Sequence, residues 1–169
     1  MEMTPIENLE GSELKKIVGF YSKSLLTIDG LWFLAVEDRF GLKTATRMDV
    51  EVWGRFGSIE AKRIMRTFDL TEGGIESIVK ALQLSPTWAA MRYEFPTVTV
   101  DSLVFRIVEC PPQRARIRKG RGEFPCKPVG LSYLREFART IDPRAKVEAL
   151  TAPPDAHPEE FWCEWRLTV

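Results

Sequence analysis

An α+β fold, with a helical N-terminal half packed on a mostly antiparallel sheet of two hairpins joined by a helix, follows from three features of this 169-residue chain. Apolar residues recur at spacings of three and four up to Pro86, the period of an amphipathic helix. Beyond Pro86 the period falls to two, the mark of a half-buried strand. The strand-like segments then come as a hairpin, a helix and a second hairpin, an order that suits an antiparallel sheet. No repeat, low-complexity tract or linker interrupts the chain. Residues 1–169 therefore read as a single domain, helical over 1–85 and strand-helix-strand over 86–169.

The first stripe consists of Leu14, Ile17, Val18, Tyr21, Leu25, Ile28, Trp32, Ala35 and Val36. Asp29-Gly30 interrupts it, leaving open one kinked helix or two, and Gly41 supplies a stop. A second helix runs through Ala45, Met48, Val52 and Trp53 and is expected to end at Gly57-Ser58. Ser58 would cap a third, built on Ala61, Ile64, Met65 and Phe68. A fourth uses Ile75, Ile78, Val79 and Leu82, and Ser85-Pro86 closes it. Met91, Tyr93 and Phe95 alternate with Arg92 and Glu94 in a first strand, in which Pro96 marks an edge or a bend. Asp101-Ser102 turns the chain into a strand with Leu103, Phe105 and Ile107 on one face. Leu131, Leu134, Phe137, Ala138 and Ile141 then form an amphipathic helix that Pro143 terminates. Lys146 to Leu150 is a short strand, and Cys163, Trp165, Leu167 and Val169 share one face of the last.

Composition narrows the function classes. Lys+Arg and Asp+Glu each number 24, so formal net charge is zero, which argues against electrostatic capture of nucleic acid or of a membrane surface. No apolar run approaches the ~20 residues of a membrane span. Met1 to Ser12 is polar and acidic without a signal-peptide core, and three cysteines are too few for a secreted disulfide scaffold. A cytoplasmic protein is expected.

Direction reversal along the elements gathers the thiols. The second strand ends at Cys110, the later helix opens near Cys126 to Pro128, and the loop carrying His157 leads into the last strand at Cys163. All four residues are expected at one end of the sheet. Cys110, Cys126, His157 and Cys163 would make a complete Cys₃His zinc shell, although no CxxC or HxxxH spacing supports it. A metal-free alternative makes Cys126 a nucleophile, activated by a helix N-terminus and Lys127, with His157 as its base. The plain alternative is three cysteines buried separately as small hydrophobes, Cys163 beside Trp165.

Arg114, Arg116, Arg118, Lys119 and Arg121 lie in one connector with Gly120 and Gly122. The connector reads either as a flexible anion-binding lid or as a solvated segment paired with the protein's own acids. As a lid, Arg114, Arg116 and Arg118, with Lys127 nearby, would hold a small acidic ligand at the cysteine end.

The segments Cys110-Pro-Pro-Gln-Arg-Ala-Arg116, Gly122-Glu-Phe-Pro-Cys126-Lys-Pro-Val-Gly130, His157-Pro158 and Trp162-Cys163-Glu-Trp165 resemble a family of uncharacterised bacterial and archaeal cytosolic proteins. The stretch from Asp29 to Gly41 resembles it too, so the likeness covers most of the chain from about Ile28. More distantly, the arrangement is similar to L-2-amino-thiazoline-4-carboxylate hydrolase-like proteins and to 4-vinyl-reductase-type small-molecule-binding domains. Those resemblances imply a helix-plus-sheet fold, often dimeric, with a ligand pocket and cysteines able to hold a metal.

Three readings stand on these residues. The first is a small-molecule-binding protein whose pocket lies at the Cys110, Cys126, His157 and Cys163 end, with zinc as a candidate cofactor and an acidic ligand. The second is a hydrolase of C–N or C–S bonds in a small cyclic or amidated acid, working through zinc-bound hydroxide or the Cys126 thiolate. The third is a helix-mediated dimeric interaction module without chemistry, because Trp32, Phe33, Trp53 and Phe56 are many large aromatics for a thin helical layer.

Overall fold

The computed structural model describes residues 9–169, so the polar stretch up to Asn8 lies outside the described residues. Helices α1 (Ser12–Phe40), α2 (Leu42–Thr67) and α3 (Gly74–Leu84) come first, then strands β1 (Arg92–Val98) and β2 (Ser102–Glu109). Helices α4 (Pro111–Arg118) and α5 (Lys127–Ile141) follow, and β3 (Lys146–Thr151) and β4 (Cys163–Thr168) close the chain. The sheet is antiparallel throughout, in the order β1-β2-β4-β3. The architecture is thus α+β with a helical N-terminal half.

The core forms where α5 lies on the inner face of the sheet. Leu134, Phe137 and Ala138 of α5 are fully buried with Leu103 and Phe105 of β2 and Leu167 of β4, and Ile75, Ile78 and Leu82 of α3 join them. The opposite face is polar: Arg106 of β2 bonds Glu164 of β4 at 2.6 Å, and Arg166 of β4 bonds Glu148 of β3 at 3.0 Å. This alternation fixes the register, since a slip of one residue would bury those charges. β1 is an edge strand, and its register shifts between Glu94 and Thr97, where Pro96 has no N–H for the ladder.

Of the two interruptions considered, the one left open at Asp29-Gly30 proves to be a single helix, and the one expected at Gly57-Ser58 is absent for a packing reason. Asp29-Gly30 does not break α1, which runs unbroken for 29 residues. Gly57-Ser58 does not end α2 either. Gly57 sits where α2 presses on α5, and a Cβ there would stand 2.5 Å from the Tyr133 carbonyl oxygen. The glycine allows close approach between helices rather than a stop. α2 reaches the sheet through α5, their contact being the most extensive between elements.

The orientation of α1 also departs from expectation. Of its residues only Ser22 is fully buried, and the apolar stripe points outward, with Val18 at 51%, Ile28 at 53% and Trp32 at 69% exposure. The inward face instead carries Ser22, Leu26, Asp29 and Glu37, and polar contacts hold it. Ser22 Oγ donates to Pro86 O, Trp53 Nε1 donates to Asp29 Oδ1 at 3.1 Å, and Arg116 grips Glu37. Among the described residues no helix is long and apolar enough to cross a membrane.

Candidate functional site

Because α1 is held at points, open space remains beneath it. An outer chamber of about 380 Å³ lies between α1 and α4. An inner recess of about 130 Å³ continues toward the ends of β2 and β4 and the start of α5. Leu26, Asp29, Asp49, Pro112 and Phe124 belong to the walls of both, so the two carboxyls stand at the junction. The outer chamber alone is within the range of small-ligand sites.

The inner recess is lined by Cys110, Cys126 and Cys163. Each arrives from a different element: Cys110 follows β2 and precedes α4, Cys126 precedes α5, and Cys163 opens β4 opposite Ile107. All three are free thiols. Burial pushes Cys110 up to about 11 and Cys126 up to about 12, with neighbouring Cys110 adding to the latter. Cys163 is raised well above the usual thiol range by burial and by the other two cysteines, while Trp165 Nε1 donates to its Sγ at 3.2 Å. These are neutral thiols at physiological pH. The helix terminus and Lys127 were expected to lower the Cys126 pKa, but desolvation wins, and Lys127 turns to Asp155 at 2.7 Å.

His157 is not among the residues lining either chamber. Its Nδ1–H donates to Pro158 O at 2.9 Å and Phe161 O at 3.0 Å, and its Nε2 lies 3.4 Å from Glu123 Oε1. The structure therefore brings the three cysteines to one recess and ties the imidazole to its own loop. Among the described residues no group of three or more His, Cys, Asp or Glu side chains is arranged to hold a metal.

The two junction carboxyls come from facing helices. Burial raises Asp29 to about 6, partly offset by the Trp53 hydrogen bond. Burial, reinforced by the charge of Asp29, raises Asp49 to about 7. Among the described residues neither has a cationic partner within ion-pair distance.

The arginine connector is not a flexible lid, because its first part is the helix α4, with Pro111 and Pro112 at its start. Arg116 is 7% exposed and bonds Glu37 through both ends of its guanidinium, at 2.6 and 3.1 Å. Arg114 meets Glu109 at 3.4 Å in solvent. Arg121 meets Asp38 at 2.7 Å. Arg118 and Lys119, with Lys23 of α1, border the outer chamber.

A model of a family of unknown function, DUF6125, matches residues 7–169. The chain belongs to the DUF6125 family. Comparisons with curated proteins and with solved structures each returned no match. The family model is described only as one of unknown function and does not test the resemblance to L-2-amino-thiazoline-4-carboxylate hydrolases or to 4-vinyl-reductase domains.

Three groups in this DUF6125 member escape a reading by motif. Gln113, 1% exposed, donates to Phe124 O at 2.8 Å and toward Cys126 Sγ at 3.5 Å while its Oε1 accepts from Phe124 N, pinning the loop that closes the recess. Glu60, 3% exposed, accepts from Ser85 and Thr87 at 3.0 Å and from Tyr133, whose ring lines the recess. The third group is the Asp29–Asp49 pair. Its members are 20 positions apart on different helices, and the only local signal is an acid set into an apolar stretch.

Proposed function

We propose that this chain is a small-molecule-binding protein whose ligand lies beneath α1, in the outer chamber and the inner recess together. The observation that carries the reading is that the two spaces share the wall formed by Leu26, Asp29, Asp49, Pro112 and Phe124, with apolar surfaces and a few polar groups converging there. Lys23, Arg118 and Lys119 at the outer chamber suit an acidic group on the ligand. The cytoplasm is the setting in which three unpaired thiols persist. Zinc would join this reading only if Cys110, Cys126 and Cys163, which line one recess but are not arranged to hold a metal, closed around it with a fourth ligand.

Thermal shifts with benzoate, phenylacetate and succinate test it. At least one should raise the melting temperature in a concentration-dependent way, and Leu26→Trp, which fills the junction, should abolish the effect. No shift with any of them, or a shift unchanged in Leu26→Trp, would remove the reading.

A specific observation also favours self-association. Leu14, Val18, Tyr21, Leu25, Ile28, Trp32 and Ala35 recur at strict spacings of four and three, a coiled-coil seam along a helix about 43 Å long. Much of that seam is exposed, as are Met48 and Val52 on α2. A second copy of the same helix has the matching period. Sedimentation should give a dimer that Ile28→Glu with Trp32→Glu converts to monomer; a wild-type monomer at every concentration sinks this reading.

A further inference from the structure

We propose that the Asp29–Asp49 pair binds an organic ammonium ion, the cationic part of the ligand beneath α1. This rests on the ligand-binding reading above and adds the charge class of the group held at the junction. The argument begins with charge compensation. A buried carboxylate without a counter-charge is costly, and a protein normally offsets it with a cation or several donors. This chain does so elsewhere: Glu37 has Arg116, Asp142 has Arg144, and Glu60 has three hydroxyl donors. Asp49 is only 9% exposed and Asp29 half-buried, yet among the described residues the one side-chain donor beside them is the indole of Trp53. Both border open space instead.

A second observation is the aromatic lining of the same recess, to which Trp88, 8% exposed, contributes. The surrounding surface decides which cation fits. Trp53, Trp88, Tyr133 and Phe124 supply aromatic walls, and Leu26 and Pro112 aliphatic ones. Aromatic faces attract cations, above all desolvated organic ones. A hard metal ion would instead require six or more oxygen ligands or several retained waters.

The other ionisable groups around the pair fit the same picture. On the outer side stand Lys23 of α1, Arg116 and Arg118 of α4, and Lys119. On the inner side stand Cys110, Cys126, Cys163 and Tyr133, all neutral at physiological pH. The ligand is accordingly amphoteric, with its ammonium group at the carboxyl pair and its acidic group toward Lys23, Arg118 and Lys119.

Calorimetric titration with three probes of similar shape tests this: benzylammonium, the neutral benzyl alcohol, and benzoate. The proteins are wild type, Asp29→Asn, Asp49→Asn and Leu26→Trp. Asparagine keeps the side-chain size and a carbonyl acceptor for Trp53, and benzyl alcohol reports whether the recess is intact in each variant. Wild type should bind benzylammonium about tenfold or more tightly than benzyl alcohol, as expected for charge-assisted contacts, and each asparagine variant should lose that preference. Equal binding of the two probes, or a preference unchanged in both asparagine variants, overturns the proposal. So does Zn²⁺ binding that either asparagine variant abolishes, with no benzylammonium binding, which would make the pair part of a metal site. Benzoate binding that Leu26→Trp removes, without any ammonium binding, would leave the ligand-binding reading standing and eliminate this one. Failure of all three probes removes both.

Discussion

Arg116 of α4 holds Glu37 of α1 in a two-point grip, Nη1 to Oε2 at 2.6 Å and Nη2 to Oε1 at 3.1 Å, with side-chain exposures of only 8% and 13%. Removing one partner of such a pair strands the other charge. Arg116→Ala should therefore destabilise the protein by roughly 3 kcal/mol, measured by urea denaturation. Arg116→Lys should recover little, because a single ammonium cannot reproduce the planar fork. A loss below about 1 kcal/mol, the level of an exposed pair, would show that the contact carries no such weight.

The raised pKa values of Asp29 and Asp49 set a pH dependence. Unfolded, both titrate near the ordinary aspartate value of about 3.9; folded, they titrate at about 6 and about 7. Between those limits the native state holds more protons than the unfolded one, so this contribution to stability falls as pH rises. It is complete below pH ~4 and gone above pH ~7, with upper bounds of about 3 kcal/mol from Asp29 and about 4 kcal/mol from Asp49. Asp29→Asn and Asp49→Asn should each flatten the profile and raise the melting temperature at alkaline pH. A wild-type profile that rises from pH 5 to 8 would contradict this.

Neutral buried thiols should react slowly. With Cys110 near 11 and Cys126 near 12, the native protein should consume a thiol reagent at pH 8 far more slowly than the denatured chain, which should release all three thiols. One fast-reacting native thiol would contradict the desolvation described for the recess. Metal analysis of the same sample, about one zinc per chain or none, decides whether the slow thiols are metal-bound.

Gly57→Ala should destabilise despite the higher helix propensity of alanine, worth about 1 kcal/mol. The new Cβ would meet Tyr133 O at 2.5 Å and Phe137 N at 3.3 Å, both backbone atoms that cannot rotate aside. A net loss of about 1–3 kcal/mol is expected. Gly19→Ala, whose added Cβ meets nothing within 4 Å, is the matched control and should be neutral or stabilising.

Period and punctuation made the element types legible, because they are local properties. The switch at Pro86, the turn at Asp101-Ser102 and the stop at Pro143 are read from neighbouring residues, and the structure has elements there. What failed was information carried by distant partners. Gly57-Ser58 looks like a helix end until α5 is seen against it. The 3.5-residue stripe of α1 says which residues share a face, but not whether that face looks inward; here Ser22, Asp29 and Glu37 are the ones satisfied by the body of the protein. The site was legible in part for the same reason. Strand direction alone carries Cys110, Cys126 and Cys163 to one recess. No spacing announces Asp29 with Asp49, or the seat of His157 beside Glu123, because those pairings exist only once α1 and the last loop have docked.

The fastening of α1 has a consequence for how long anything stays beneath it. Its anchors at Ser22, Asp29 and Glu37 are spaced by seven and then eight residues, about 11–12 Å apart along the axis. A helix held at separate points can open locally while the core strands stay protected from exchange. For a molecule held beneath α1 as proposed, departure would follow the slowest anchor to let go, and Glu37→Gln, which loosens the Arg116 grip at the outer chamber, should shorten its residence.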